Sequence, residues 1–312
     1  MDPFSQGFLG AAAAQSVAHK KEQVWVFLLG FFAGALADVD VAIKIPGDEI
    51  GSFLLHRHFT HGLFFIPIGA AVAALLYWLM VRRKYPFKRI FLFAFVGYAT
   101  HGVLDAATSY GTVLLWPLSN ERIAWDFLPI IHAAVTFPLA IGCIYSLWKK
   151  KLWPVRVGLV WFLVFAGFSF YQSQRVVAAH DEVVAAREHT PENRRLMPRL
   201  GTVADWRVVY RHNGQIYADR AQTPLFKAAS IEEGGAVPVI NGVEDIVPTP
   251  TERQRYDFER YNWFADGFLA KTGNGMIGDM RYTSDPKGFE PLWGLKLEEG
   301  NFVRVRAAFK SN

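Results

Sequence analysis

The sequence predicts an α-helical membrane bundle of about five to six helices, followed by a smaller, mainly β (α+β) extracytoplasmic domain. Three observations carry this. The long apolar runs are concentrated in residues 1–171, whereas 172–312 has the make-up of an ordinary water-soluble chain. The apolar fraction, 52% over 312 residues, is high for a soluble protein. Short basic clusters separate the apolar runs, as loops on one side of a membrane do.

A spanning helix needs about 20 mostly apolar residues at ~1.5 Å each. Such runs cover 3–18, 23–41, 62–81, 89–107, 127–148 and 153–171. The first is short enough to be re-entrant or half-inserted. Its sequence, "MDPFSQGFLGAAAAQSVAHKK", has Asp2 where a signal peptide carries positive charge and its basic cluster afterwards, so it reads as a retained helix. Three loops are basic: His19–Lys21, then Arg82, Arg83, Lys84, Lys88 and Arg89, then Lys149–Lys151. Excess Lys and Arg marks the cytoplasmic side. All three agree with six alternating passes and put 42–61, 108–126 and everything after 172 outside the cytoplasm. The net charge of +5 is gathered in these loops rather than on one face, so no nucleic-acid partner is expected. Cys143, the single cysteine, lies in an apolar run, which excludes a disulfide framework and a cysteine zinc motif.

The exported part, 172–312, opens with a helical stalk through "YQSQRVVAAHDEVVAAREHTPENRR". Alternating segments follow: "DWRVVYRHNGQIYADR", with Asn213-Gly214 as a hairpin turn, then "GMIGDMRYTSD" and "FVRVRAAF". Its aromatic residues (Trp206, Tyr210, Tyr217, Phe258, Tyr261, Trp263, Phe264, Trp293) read as core.

The polar residues of the apolar half are not scattered. Asp38 and Asp40 close the second span; His56, Arg57, His58, Thr60 and His61 open the third; His101 and Asp105 lie near the end of the fourth; Asp126 and His132 flank the start of the fifth. All fall on one side at similar depth. Ionisable groups at a membrane segment are costly and usually functional. His101 and Asp105, four apart, share a helical face, and an imidazole with a carboxylate at that spacing suits zinc, manganese or iron(II). Asp38 and Asp40 are two apart and share a site only if the helix ends or unwinds, which Pro46 and Gly47 make reasonable. Either His58 with His61, or His56 with His61, can converge; spacing does not choose. Singly, each residue has a plainer reading as an interfacial histidine or a structural ion pair, Arg57 with Asp38 or Asp105 for example.

The order "MDPFSQGFLGAA", "DVD", "HRHFTHG", "HGVLDAATSYGTVLLWPLS" and "IIHAAVTFPL" resembles the membrane-bound metal-dependent hydrolases of the YdjM/YbcI type (the DUF457 family) over most of 1–140. That family has a DxD, an HR-x-x-TH and an H-x-x-x-D. The resemblance implies Asp38, Asp40, His56, His61, His101 and Asp105 as metal ligands, with His58 a bystander. Many members have a histidine near the start, where this chain has Gln6, and an Asp where this chain has His132, which can also ligate. It further implies a bacterial inner (cytoplasmic) membrane location.

Such a cluster has room for two or more divalent ions, zinc foremost, which activate water and clamp a phosphoester. Asp38 or Asp40 can then bridge ions and accept a proton, and Arg57 can neutralise a phosphate oxygen. Thr60, Thr108 and Ser109 buttress the ligands. A site under the outer leaflet suits a lipid or lipid-linked substrate. The competing classes are an ion transporter and an assembly protein stapled by metal. Inward of His101 the fourth span, "IFLFAFVGYA", has nothing ionisable, which disfavours transport.

Overall fold

In the computed structural model, which describes residues 1–81, 84–273 and 275–306, the chain divides into two units. Arg82 and Arg83 of the second basic loop, and Ala307–Phe309 of the last expected strand, lie outside the described residues. The first unit comprises Met1–Ile43, Leu55–Tyr171 and Leu200–Thr202; the second comprises Lys44–Leu54, Gln172–Arg199 and the chain from Val203 onward.

The first unit is helical. α1 (Pro3–Ser16) starts where Asp2 accepts from the Ser5 N–H (2.9 Å) and Pro3 supplies the fixed backbone angle of a first turn. Its 14 residues reach ~21 Å, short of the ~30 Å hydrocarbon layer. α2 (Gln23–Ala35) tightens into a 3-10 turn, Leu36–Ala42, and together these give a 20-residue apolar stretch long enough to cross. α4 (Ile66–Met80), with the short 3-10 turn before it, forms a second such stretch, and α7 (Trp153–Ala186) contains a third. α5 (Phe87–Ala106) carries the fourth expected run. Arg89 at its start makes a two-pronged pair with Glu22 before α2 (2.5 and 2.7 Å), so the two basic loops meet at one end of the helices.

Two expectations need correction here. The fifth run does not become helical at 127: α6 is Ala133–Lys149. Pro129 disfavours helical angles at the residue before it, and residues 125–128 instead donate to the end of α5, Trp125 N–H to Ala106 O (2.7 Å) and Leu128 N–H to Ala107 O (2.9 Å). The helical run expected through 195 ends at Ala186, where α7, continuous with the sixth apolar run, stops, and Asn193–Pro198 is a strand.

The second unit holds two antiparallel sheets. One is ordered β1 (Asn193–Pro198), β2 (Asp205–His212), β3 (Gln215–Gln222), β4 (Ser230–Glu232), with β5 (Ala236–Pro238) also on β3; the other runs β6 (Leu269–Lys271), β7 (Ile277–Asp279), β8 (Trp293–Glu298), β9 (Asn301–Arg306). The β2–β3 hairpin turns at Asn213-Gly214 with both residues at positive φ (48° and 71°), the conformation this dipeptide favours. α8 (Glu252–Phe264), unforeseen in the sequence, starts at a reciprocal cap between Thr251 and Gln254 and buries Phe258, Tyr261 and Phe264. Lys44–Leu54, placed in the helical half by sequence, belongs to this unit. Asp48 receives both prongs of Arg260 (2.6 and 2.9 Å), and Ile50 and Leu54 of α3 (Glu49–Leu54) join the α8 core.

Inside this unit the buried Asp219 of β3 accepts two hydrogen bonds from Arg187 (2.8 and 2.9 Å), one from Gly234 N–H (2.8 Å), and lies 3.1 Å from His180. Although burial opposes ionisation, His180 and Arg187 hold its carboxyl down at about 2. The pKa is lowered, so this stabilisation is complete above the unfolded value of ~3.9 and fades as pH falls toward 2. Asp219→Asn is expected to destabilise this unit by about 1–3 kcal/mol near neutral pH, since it removes the buried carboxylate that Arg187 and His180 share and leaves Arg187 only the exposed Glu233 (2.9 Å) as counter-charge. The loss should shrink below pH 4 in urea titrations followed by tryptophan fluorescence.

Candidate metal centre

Small residues bring three helices into backbone contact. A Cβ on Gly10 of α1 would lie 2.6 Å from Gly30 O and 2.7 Å from Gly34 Cα, both on α2, and one on Gly97 of α5 would lie 3.0 Å from Gly30 O. One turn along each helix from this contact sit Gln6, Asp38 and His101. The fourth contributor is the loop 55–62. Its His61 carbonyl rests on α5 at Gly102, where a Cβ would come within 2.1 Å of it. Tyr98 OH donates to Thr60 O (2.8 Å), and Val113 N–H (3.2 Å) and the Thr112 hydroxyl (3.1 Å) donate to Arg57 O, pinning the loop at both ends.

Asp38, His61, His101 and Asp105 each direct one ligand atom to a common point, the four atoms lying within 4.8 Å of one another. His101 Nδ1 donates to the Gly34 carbonyl (2.6 Å), an acceptor only, so its Nε2 faces inward. The Thr60 hydroxyl donates to Asp40 Oδ2 (2.6 Å) and therefore accepts from His61 Nδ1 (3.0 Å), so His61 Nε2 also faces inward. The two Nε2 atoms are 2.9 Å apart. His61 Nε2 is 3.5 Å from Asp38 Oδ1 and 3.2 Å from Asp105 Oδ2; His101 Nε2 is 3.4 and 3.6 Å from the same oxygens. Both oxygens are buried and accept no hydrogen bond from the described residues. A proton between the imidazoles would satisfy two of these four donors; a cation satisfies all four. Ligands of a tetrahedral ion bound at ~2.0–2.1 Å stand ~3.3 Å apart, and the observed spacings straddle that value. The residues fit a divalent ion.

The surroundings hold these donors in place. Asp105 Oδ1 accepts from Gln6 Nε2 (2.9 Å) and pairs with the Met1 nitrogen, which leaves Oδ2 for the centre. Arg57 is buried at φ +66°, a left-handed conformation uncommon for a side-chain-bearing residue. Its Nε is 3.5 Å from Asp105 Oδ2, its guanidinium lies over Tyr110 (5.0 Å), and Nη1 makes no hydrogen bond. The pairing of Arg57 with Asp105, one of the two plain alternatives, is thus present, with a donor to spare.

Three sequence-chosen ligands do not reach the centre. Asp40 lies behind His61, with Oδ2 3.4 Å from Nδ1, and its oxygens are taken by His56 Nδ1 (2.6 Å), Arg57 N–H (3.1 Å) and Thr60. The two aspartates of the DxD therefore grip opposite edges of one imidazole. His56 is turned away by that same bond to Asp40. His132 caps α6, its Nδ1 accepting from Ala134 N–H (3.1 Å), and packs on Phe165 (4.5 Å). Sequence reasoning missed Gly34, whose carbonyl fixes His101, along with Gly102 and Tyr98. Gln6 stands beside His101 and Asp105.

The apolar helices and the buried histidine–aspartate cluster define an integral membrane protein with a candidate metal site. The chain belongs to the family described as YdjM inner membrane protein, whose model matches residues 1–176. It is 31% identical over 143 residues to inner membrane protein YbcI of Escherichia coli (strain K12), a match covering 42% of this chain and 80% of that protein. No solved structure matches the chain.

Proposed function

We propose that the chain is an inner-membrane hydrolase that holds a divalent ion, zinc by preference, between Asp38, His61, His101 and Asp105, and cleaves a phosphoester of a lipid or lipid-linked substrate. The observation that carries this is the convergence of four potential ligand atoms, with no hydrogen-bond partner for Asp38 Oδ1 or Asp105 Oδ2 among the described residues. An ion there supplies Lewis acidity and activated water at neutral pH.

The chain's own residues do the rest. Arg57 neutralises the non-bridging oxygens of the ester through its spare Nη1. Asp38, the one partly exposed member of the cluster, lies where substrate and water enter and takes a proton from the attacking water. The water oxygen bonds to phosphorus as the ester P–O bond breaks, and the departing alcohol leaves with the proton that Asp38 held. Asp40 and Thr60 fix the ring of His61, and Gln6 fixes Asp105; partners of this kind are worth 10–100-fold in metal affinity or activity. The basic loops, gathered at the other end of the helices from the cluster, support cytoplasmic loops there and an extracytoplasmic residue 172 onward.

A second reading has its own support: four protein ligands can close a tetrahedral ion completely, as in structural sites. Transport fits less well, since Gly97, Ala94, Phe93 and Ile90 on the buried side of α5 continue inward without an ionisable group. Hydrolysis of bis(p-nitrophenyl) phosphate and of phosphatidylglycerol vesicles by the detergent-purified protein separates the first two. The hydrolase reading expects turnover that chelator removes and zinc or manganese restores with the protein folded throughout; the structural reading expects no turnover and unfolding on chelation.

A further inference from the structure

α1, α5 and α7, with the segment after α5, enclose an apolar groove of about 440 Å³, inside the ~300–1,000 Å³ range of small-molecule sites. Leu9, Ala13, Leu104 and Leu159 are among the residues forming its wall. Among the described residues no charged side chain lines it, and the hydroxyl of the lining Thr100 is spent on the Gly97 carbonyl (2.9 Å). Two of its wall residues adjoin members of the cluster along their helices. Leu104 adjoins Asp105 and follows His101 by three residues, and Leu9 lies one turn beyond Gln6, the donor to Asp105.

We propose that this groove seats one acyl chain of a phospholipid whose phosphoester lies at the histidine–aspartate cluster, an inference that rests on the hydrolase reading. Three features select that occupant. A water-soluble ligand would bury its polar atoms unpaired, at a cost of a few kcal/mol each. A helix of a second copy packs through small residues, whereas the rim carries Val103, Trp125 and Leu163, exposed by 42%, 50% and 66%. Finally, Arg57 beside Asp105 offers an uncommitted guanidinium nitrogen that complements an anionic head group. The acyl chain thereby holds the ester in register, and the groove makes the enzyme selective for lipid over water-soluble esters.

The test is photolabelling of the full-length protein in phosphatidylglycerol nanodiscs containing a trace of phosphatidylglycerol with a diazirine near the end of one acyl chain. Adducts are expected on α1, α5 and α7 peptides lining the groove. Ala166→Trp and, separately, Leu159→Trp are expected to lower them on the order of tenfold, as loss of about two buried methylenes would. Adducts spread evenly over the exposed faces of α2 and α4, unchanged labelling in both variants, or labelling displaced by cross-links between two copies would overturn the proposal. Labelling requires no turnover. Groove adducts without hydrolysis would therefore uphold the groove and remove the hydrolase reading, while hydrolysis without groove adducts would do the reverse.

Discussion

Replacement of His101 by alanine is expected to strip the purified protein of its divalent ion while leaving the helices intact. His101 supplies one of the two inward Nε2 atoms, and Gly34 O fixes its ring. Changes to residues that merely orient ligands cost 10–100-fold in affinity, so loss of a ligand should exceed about a hundredfold. Elemental analysis after dialysis reads this directly, with far-ultraviolet circular dichroism as the check on fold. His132→Ala is the informative partner. The resemblance makes it a further candidate ligand where relatives have an Asp, but it caps α6 and lies outside the cluster. Its expected cost is that of a lost cap, about 1 kcal/mol, with full metal content. Equal metal loss in both variants would contradict the assignment.

Arg57→Lys is expected to keep the metal and lose turnover. The substitution retains the positive charge near Asp105 but removes the planar fork that meets two phosphate oxygens at once. Loss of one donor aimed at developing charge typically lowers kcat by ~10²–10³. A purely structural ion pair with Asp105 would tolerate lysine, so unchanged kcat with unchanged metal content would return Arg57 to that role. The split between metal content and turnover distinguishes the outcomes, because a variant that merely loosened the loop would lose both.

The parts of the centre legible in the sequence are those set by local geometry. His101 and Asp105 stand four apart on a helix that α5 continues through both, so their shared face follows from helical period. The 3-10 turn Leu36–Ala42 is the unwinding that the DxD required, yet spacing could not reveal that His61 inserts between the two aspartates. The choice between His56 and His61 depended on the path of the loop, and that path is set by Gly102 and Tyr98 on another helix. His132 is a candidate ligand in the sequence because it stands where the resembled family has an Asp; Pro129 and the bonds to the end of α5 delay the helix and turn the histidine into its cap. In the C-terminal unit the Asn213-Gly214 hairpin was readable from two residues. The attachment of Lys44–Leu54 there depends on Asp48 meeting Arg260, more than 200 positions away, which no local pattern announces. α8 did leave a signal in the Thr251-x-x-Gln254 cap, ahead of a strongly polar stretch that hid it.

In the proposed centre two imidazoles and two carboxylates share one ion at the end of the bundle. X-ray absorption at the metal edge of the purified protein tests it most directly. The expected spectrum has only nitrogen and oxygen neighbours at ~2.0–2.1 Å, outer-shell scattering from two imidazole rings, and about one ion per chain. A sulfur shell, a shell of water alone, or metal at background level in protein that remains folded would contradict it.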